Sequence, residues 1–243
     1  MKRIGVLGGI SPQATMDFEA RVHRVAQRII PQQWNAGYPP MVVWYHRRLP
    51  IRVDDAGRPL APMQIDPQLL DAAAWLGRGS DFLVVPCNAA HVGLPALTRA
   101  AGCPVLSMID VTVDEAVRRG WRRVGVMGFN GPPGVYLDAF RRHDVHCEAI
   151  DARSQTALDA GIRAVMEGRD GPAESGAARA AVEALRARGL DGIVLGCTEI
   201  PLLMREAAEA PDLLNPATLL AEAAVRLAVD DAPVGDAHTA LRA

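Results

Sequence analysis

Two stretches of this chain share one design, and together they constrain its fold. Asp81–His91 reads DFLVVPCNAAH, and Asp191–Pro201 reads DGIVLGCTEIP. Each runs from an aspartate through a short apolar segment to a cysteine and small or polar neighbours. A helix-like stretch closing on glycine precedes each one, LGRGSD in the first case and RARGLD in the second. A second pair matches in the same order: KRIGVLGG at Lys2–Gly9 and RRVGVMGF at Arg122–Phe129. Short apolar runs bounded by turn residues mark strands buried on both faces, the kind that build parallel sheets. Two pairs matching at similar offsets predict two α/β lobes of one design, each with a glycine-turn strand and a cysteine strand.

The rest of the chain fits that pattern. Strand-like runs fall at Arg3–Leu7, Met41–Tyr45, Phe82–Pro86, Val105–Met108, Val124–Met127, His146–Ile150, Gly192–Leu195 and Leu213–Leu214. Helical patterns lie between them, at Gln13–Ile29, Pro67–Leu76, Leu94–Ala101, Val111–Arg119, Gly134–Arg142, Thr156–Glu167, Ala173–Ala187 and Ala217–Val229. Such alternation predicts parallel sheets flanked by helices. The 243 residues suffice for one large core or two smaller ones. Met41–Tyr45 and Trp75 are expected in the core. Trp34 and Tyr38 sit in a Pro/Gly loop suited to a lid or a dimer contact. The closing DDAPVGDAHTALRA loses apolar periodicity and is expected to fray.

Composition narrows the function. A chain 49% hydrophobic and 22% charged is globular rather than disordered. Its formal net charge of -2, with no basic block, predicts no nucleic-acid partner. The apolar run near the N-terminus is too short for a signal peptide, and no segment nears the ~20 apolar residues of a membrane span. A cytoplasmic protein with no membrane partner is expected. The four cysteines, Cys87, Cys103, Cys147 and Cys197, show no disulfide spacing and are expected as thiols. Cys87, His91 and Cys197 lack a fourth zinc ligand, so no metal is expected. The glycines of GVLGGIS lack dinucleotide-binding spacing.

Cys87 and Cys197 carry the chemistry. Ligands of open parallel sheets gather beyond the carboxyl ends of strands, where both cysteines fall. A thiol at a helix start feels backbone N–H groups that favour thiolate. If the lobes face each other, two thiols flank one cleft. One can remove a proton from a carbon as thiolate while the other returns a proton to the far face as thiol. That inverts the carbon and calls on no cofactor. Cys103 and Cys147, in strands without polar companions, are expected to be structural. Thr198 can cap the following helix, and capping is also the favoured role for Glu199. His91, four residues after Cys87, has equal claim to tuning the thiol and to packing.

These motifs resemble the aspartate/glutamate racemase superfamily, and within it the aspartate-racemase-like branch. The matching stretches are IGVLGGISPQAT (Ile4–Thr15), LPIR (Leu49–Arg52), VVPCNAAH (Val84–His91), VLSMID (Val105–Asp110), GIVLGCTEIPLL (Gly192–Leu203) and LNPATLLAEAAV (Leu214–Val225). The resemblance implies two pseudo-symmetric lobes with the active site in the cleft between them, divided here as residues 1–109 plus 214–243 and residues 110–213. It implies inversion of an amino acid's Cα without pyridoxal phosphate, and a homodimer. It makes Cys87 and Cys197 the catalytic pair and places Gly9, Ser11, Arg52, Asn88, Ala89, Asn130, Thr198 and Glu199 around a small amino acid or related carboxylate. Arg52 matches the arginine that clamps a carboxylate, a task suited to a planar guanidinium. The same superfamily includes maleate-type isomerases, and a binding relative without turnover is the non-enzymatic alternative.

The chain also departs from the family pattern. Ala89 stands where a threonine is usual, Met166 aligns where aspartate racemases place a lysine, and Asn215 replaces an aspartate. The loop GFNGPPGVY (Gly128–Tyr136) is short, and Pro132 and Pro133 lack N–H donors. These changes remove polar or cationic groups, which predicts a preferred amino acid less acidic than aspartate.

Overall fold

The computed structural model describes residues 1–55, 60–169 and 171–230. All but the first residue of the segment expected to fray lies outside the described residues. The chain divides into two compact units, Met1–Met108 with the chain from Leu220, and Ile109–Leu219.

The first unit holds a parallel sheet of β1 (Ile4–Gly8), β2 (Met41–Tyr45), β3 (Phe82–Val84) and β4 (Val105–Leu106), in the order β2-β1-β3-β4. Helices α1 (Pro12–Ile29), α2 (Pro67–Gly77) and α3 (Leu94–Ala101) connect them. Local chemistry sets where these helices start. Ser11 caps α1 and Asp66 caps α2, each followed by proline, whose missing N–H costs nothing at that position. Ala14, Phe18, Val22, Val25 and Ala26 put one apolar stripe of α1 in the core. Leu7, Leu83, Val85 and Val105 pack with Leu69, Ala73 and Leu76 of α2 and Leu97 of α3. The C-terminal helix α9 (Pro216–Val229) closes this unit, where the Lys2 N–H donates to the Ala228 carbonyl at 2.7 Å.

The second unit repeats the plan. Its parallel strands β5 (Arg123–Met127), β6 (His146–Glu148), β7 (Gly192–Leu195) and β8 (Leu213–Leu214) run in the order β6-β5-β7-β8. Helices α4 (Met108–Arg118), α5 (Gly134–Arg141), α6 (Ala152–Met166), α7 (Pro172–Arg186) and the short α8 (Ile200–Met204) surround it. One core face gathers Leu158, Ile162, Val182, Leu185, Ile193 and Leu195. The other gathers Val113, Val124, Val126, Tyr136, Phe140 and Val194. A division at 213/214 would cut β8, but both of its residues pair with β7.

The aspartates that open the two cysteine strands perform one task. Asp81 accepts the Arg3 N–H at 2.6 Å, and Asp191 accepts those of Arg122 and Arg123 at 2.6 and 2.8 Å. Each fastens the amino end of its cysteine strand to that of its glycine strand.

β2 is an edge strand, so its apolar run is not core. Trp44 is 36% exposed and rests against the half-exposed Trp75, ring centroids 5.3 Å apart. Trp34 is 95% exposed, while Tyr38 packs edge-on against His23 and accepts from Gln27.

Candidate active site

In a sheet ordered 2-1-3-4, chain direction across the sheet reverses between its first and third strands, and ligands collect at the carboxyl ends there. In the first unit that point is bounded by the Gly8–Ser11 turn after β1 and by Cys87 after β3. In the second it is bounded by the Gly128–Pro133 loop after β5 and by Cys197 after β7. Each cysteine thus occupies the same topological position in its own sheet. Both are partly exposed, and none of the four cysteines forms a disulfide.

In the first half-site Gly9 turns with φ +76°, and a Cβ there would stand 2.3 Å from the Tyr45 Cα. Only glycine fits so close an approach. The Gly9 N–H donates to Thr15 Oγ1 at 2.7 Å, and Thr15 Oγ1 donates to the Ser11 carbonyl at 2.9 Å. Ser11 Oγ caps α1 through the Ala14 N–H. The turn that the resemblance sets beside the substrate therefore spends the Gly9 donor and the Ser11 cap internally. Cys87 starts a 3₁₀ turn, Asn88–Gly93, in extended conformation. Asn88 is buried beside it and Ala89 is exposed. Arg52 lies beyond β2, exposed, in a loop held by the Ile51–Ile65 bridge. Its guanidinium donates to Gln64 Oε1 at 2.9 Å.

His91 is 6% exposed and uses both ring nitrogens. Nε2 accepts the Met108 N–H at 3.0 Å, and Nδ1 lies 2.9 Å from the Cys87 carbonyl oxygen. An acceptor at Nε2 places the ring proton on Nδ1, which donates to that carbonyl. A neutral imidazole brings no positive charge to the thiol. His91 instead fixes the Cys87 backbone.

The second half-site is built differently. Asn130 has φ +58° and Gly131 has φ +111°. Asn130 donates its N–H to Asp159 Oδ1 at 2.8 Å. Gln155 Nε2 donates to the same oxygen at 2.7 Å and to the Gly128 carbonyl at 2.9 Å. Two α6 side chains thus stake the loop, and one backbone donor is consumed. Met166 ends α6 and is 40% exposed. Asn215 caps α9 through the Ala217 N–H and donates to Glu209.

Cys197 has an acidic partner. Its Sγ donates to Glu199 Oε2 at 2.9 Å, and Thr198 Oγ1 donates to the same oxygen at 3.3 Å. Glu199 holds the N-cap position of α8 but makes no capping bond with its side chain. The expected capping roles of Thr198 and Glu199 therefore give way to a thiol–carboxylate contact. A carboxylate opposes thiolate, the reverse of the helix-start effect expected at Cys197.

The remaining cysteines sit in environments that suppress reactivity. Burial pushes the Cys147 thiol up to about 11, against a lowering by Arg141. Burial also raises Cys103, with Asp81 adding to it. Among the described residues no three His, Cys, Asp or Glu side chains form a group able to hold a metal ion. No described helix is long and apolar enough to cross a membrane.

A family model described as Asp/Glu/Hydantoin racemase matches residues 7–224. The broad specificity amino-acid racemase RacX of Bacillus subtilis is 30% identical over 113 residues, 46% of this chain and 48% of that protein. Glutamate racemase of Corynebacterium diphtheriae is 32% identical over 164 residues, 62% of this chain and 58% of that one. The chain thus spans about half the length of these relatives. An aspartate racemase homologue from Pyrococcus horikoshii superposes with a TM-score of 0.74 at 20% identity, covering 95% of this chain and 100% of that one.

Proposed function

The chain belongs to the Asp/Glu/Hydantoin racemase family, and from that premise we propose that it is an amino-acid racemase using Cys87 and Cys197 as its acid and base. The observation that carries this reading is the repeated placement of a partly exposed cysteine at the carboxyl end of the third strand of each sheet. The reading requires the two thiols to reach one carbon from opposite faces. A thiolate takes the Cα proton as an S–H, and the opposing S–H delivers its proton to the other face. Positioned proton transfer of this kind contributes typically ~10²–10⁴-fold in rate. Two thiols suffice for both transfers, so the proposed reaction calls on no metal or organic cofactor. Arg52 is the proposed partner of a substrate carboxylate, with Asn88 and Thr198 beside the cysteines. The units Met1–Met108 with the chain from Leu220, and Ile109–Leu219, are the proposed lobes, in a proposed homodimer.

Side-chain preference follows from the positions that depart from the family pattern and from the donors already in use. Ala89 supplies no hydroxyl, Met166 supplies no ammonium, and the Asn130 N–H is already spent on Asp159. We propose a substrate range extending beyond aspartate and glutamate, which the likeness to a broad specificity racemase supports.

Proton NMR of an amino-acid panel in heavy water tests the reading. The expected result is loss of a Cα–H signal for at least one amino acid, abolished in Cys87→Ser and in Cys197→Ser. Solvent deuterium at Cα separates racemisation from double-bond isomerisation of a dicarboxylate. No exchange in folded, reduced protein sinks the racemase reading, and exchange of aspartate alone sinks the wider range.

A further inference from the structure

The two half-sites share a topology, and one of the positions where they differ bears directly on the thiols. Two residues past the cysteine the first has Ala89 and the second has Glu199. Alanine carries neither proton nor charge. Glu199 is 2% exposed, and its Oε2 takes both available donors, the Cys197 S–H and the Thr198 O–H. Its Oε1 is buried with no hydrogen-bond partner among the described residues. A carboxylate at a helix start is ordinarily satisfied by the free N–H groups there. At α8 the Ile200 N–H goes to the Cys197 carbonyl and Pro201 has none, and the carboxylate meets a thiol instead. A separation of 2.9 Å is close for a sulfur donor.

We infer that Glu199 is a positioning residue that fixes where the exchangeable proton rests, on Cys197 rather than on Cys87. The inference rests on the racemase reading. Two negative charges at this separation repel, so a Cys197 thiolate beside the Glu199 carboxylate is the less populated form. The favoured form keeps the Cys197 S–H donated to Glu199 Oε2. The one-proton enzyme then has Cys197 as its acid and Cys87 as its base. In this form the Cys87 thiolate removes the Cα proton of one enantiomer and becomes S–H. Cys197 gives its proton to the opposite face and becomes thiolate. The resting form returns when Cys87 yields a proton to water and Cys197 takes one from water, so protons and charge balance. The other enantiomer needs the minor form, with a Cys197 thiolate beside Glu199.

This bias has a definite kinetic signature. Racemisation has an equilibrium constant of one, so kcat/KM is equal for the two enantiomers in every variant. The bias therefore appears in KM and kcat separately. The enantiomer that needs the minor form binds with an apparent affinity reduced by that form's population, and its kcat rises by the same factor. A lesion that merely loosens the fold changes both directions alike.

Two measurements on the full chain test the inference. The first is pulse labelling of the ligand-free protein with iodoacetamide, mapped by mass spectrometry. Cys87 is expected to label faster than Cys197. Glu199→Gln is expected to speed Cys197 labelling roughly tenfold, about the effect of one unit on an ionisation equilibrium, with Cys87 labelling and melting temperature unchanged. Glu199→Asp, which keeps the charge, is expected to restore slow labelling. The second is the ratio of KM for the two enantiomers, expected to move toward one in Glu199→Gln. Labelling of Cys197 as fast as Cys87 in the native chain overturns the inference even if the variant fails to fold. Unchanged Cys197 labelling in folded Glu199→Gln overturns it as well, as does an unchanged KM ratio. Absence of proton exchange with any amino acid counts against the racemase reading instead, because labelling needs no substrate.

Discussion

His91 Nε2 accepts the backbone N–H of Met108 at 3.0 Å, so the turn that carries Cys87 is tied to the first residue of α4. The other ring nitrogen holds the Cys87 carbonyl. Replacing His91 by alanine removes both partners at a buried position. Leaving such groups without their partners costs roughly 1–3 kcal/mol each, so His91→Ala is expected to melt several degrees lower. Its Cα exchange is expected to fall because the thiol is misplaced. A melting curve overlaying that of the native chain would show that the ring only fills space.

The four cysteines are expected to sort into two classes. Cys87→Ser and Cys197→Ser should each lower Cα exchange by ~10²–10⁴-fold, while Cys103→Ser and Cys147→Ser leave it intact. The Cys147 thiol, pushed up to about 11 by burial, holds almost no thiolate at neutral pH and should resist alkylation. Rapid labelling of Cys147 at pH 7 in folded protein would contradict this assignment.

Asp159 is expected to matter through the loop it stakes. Asp159→Ala frees the Asn130 N–H and releases Gln155. Asn130 then loses the contact that holds it at φ +58°. If the loop frames the substrate, KM should rise more than kcat falls. Kinetics showing equal KM in the variant would detach this loop from binding.

Acid should weaken the fold through the two strand-opening aspartates. Hydrogen bonds from Arg3, side chain first and backbone second, hold Asp81 below the usual carboxylate value, and backbone N–H groups of Arg122 and Arg123 do the same for Asp191. A lowered folded-state value means stability that is present above the ordinary value near 3.8 and is lost as pH falls through the folded value. Asp191 is exposed and Asp81 partly exposed, so each contributes modestly. Melting temperature measured from pH 7 down to pH 2 should drop on its acid limb, and the drop should be shallower in Asp191→Asn. An identical acid limb would remove Asp191 from the account.

Much of this architecture was legible because parallel strands are short, apolar and punctuated. Every strand-like run of the sequence overlaps an observed strand, and Met41–Tyr45, Gly192–Leu195 and Leu213–Leu214 match to the residue. Edges were less legible. Pro86 extended the apolar run of β3, yet pairing stops at Val84. Helix α6 begins at Ala152, earlier than its apolar pattern, because Asp151 caps the Ser154 N–H. The five-residue α8 was expected as the helix after Cys197, but its short apolar run gave it no bounds. Trp44 and Trp75 read as core because hydrophobicity cannot reveal which strand ends at a sheet edge. That is a property of strand order.

In the site, what was local in sequence could be read and what was assembled by folding could not. The cysteines announce themselves by spacing. Asp159 stakes a residue 29 positions away, and nothing in its helical surroundings marks it. Glu199 was visible at a helix start, where capping is the ordinary use of a carboxylate. Its turn toward sulfur depends on where the Cys197 side chain points, which no pattern of residues records.

The first unit has its own consequence for the order of events at birth. Its sheet is complete by Leu106, but its closing helix arrives only with the residues after Leu220, where the carbonyls of Leu227 and Ala228 receive Lys2 and Glu222 receives Arg28. The second unit, Ile109–Leu219, is one uninterrupted segment. A chain leaving the ribosome from its N-terminus therefore offers everything the second unit needs before the first can be sealed. The half that is translated first is sealed only after the whole of the second has been made.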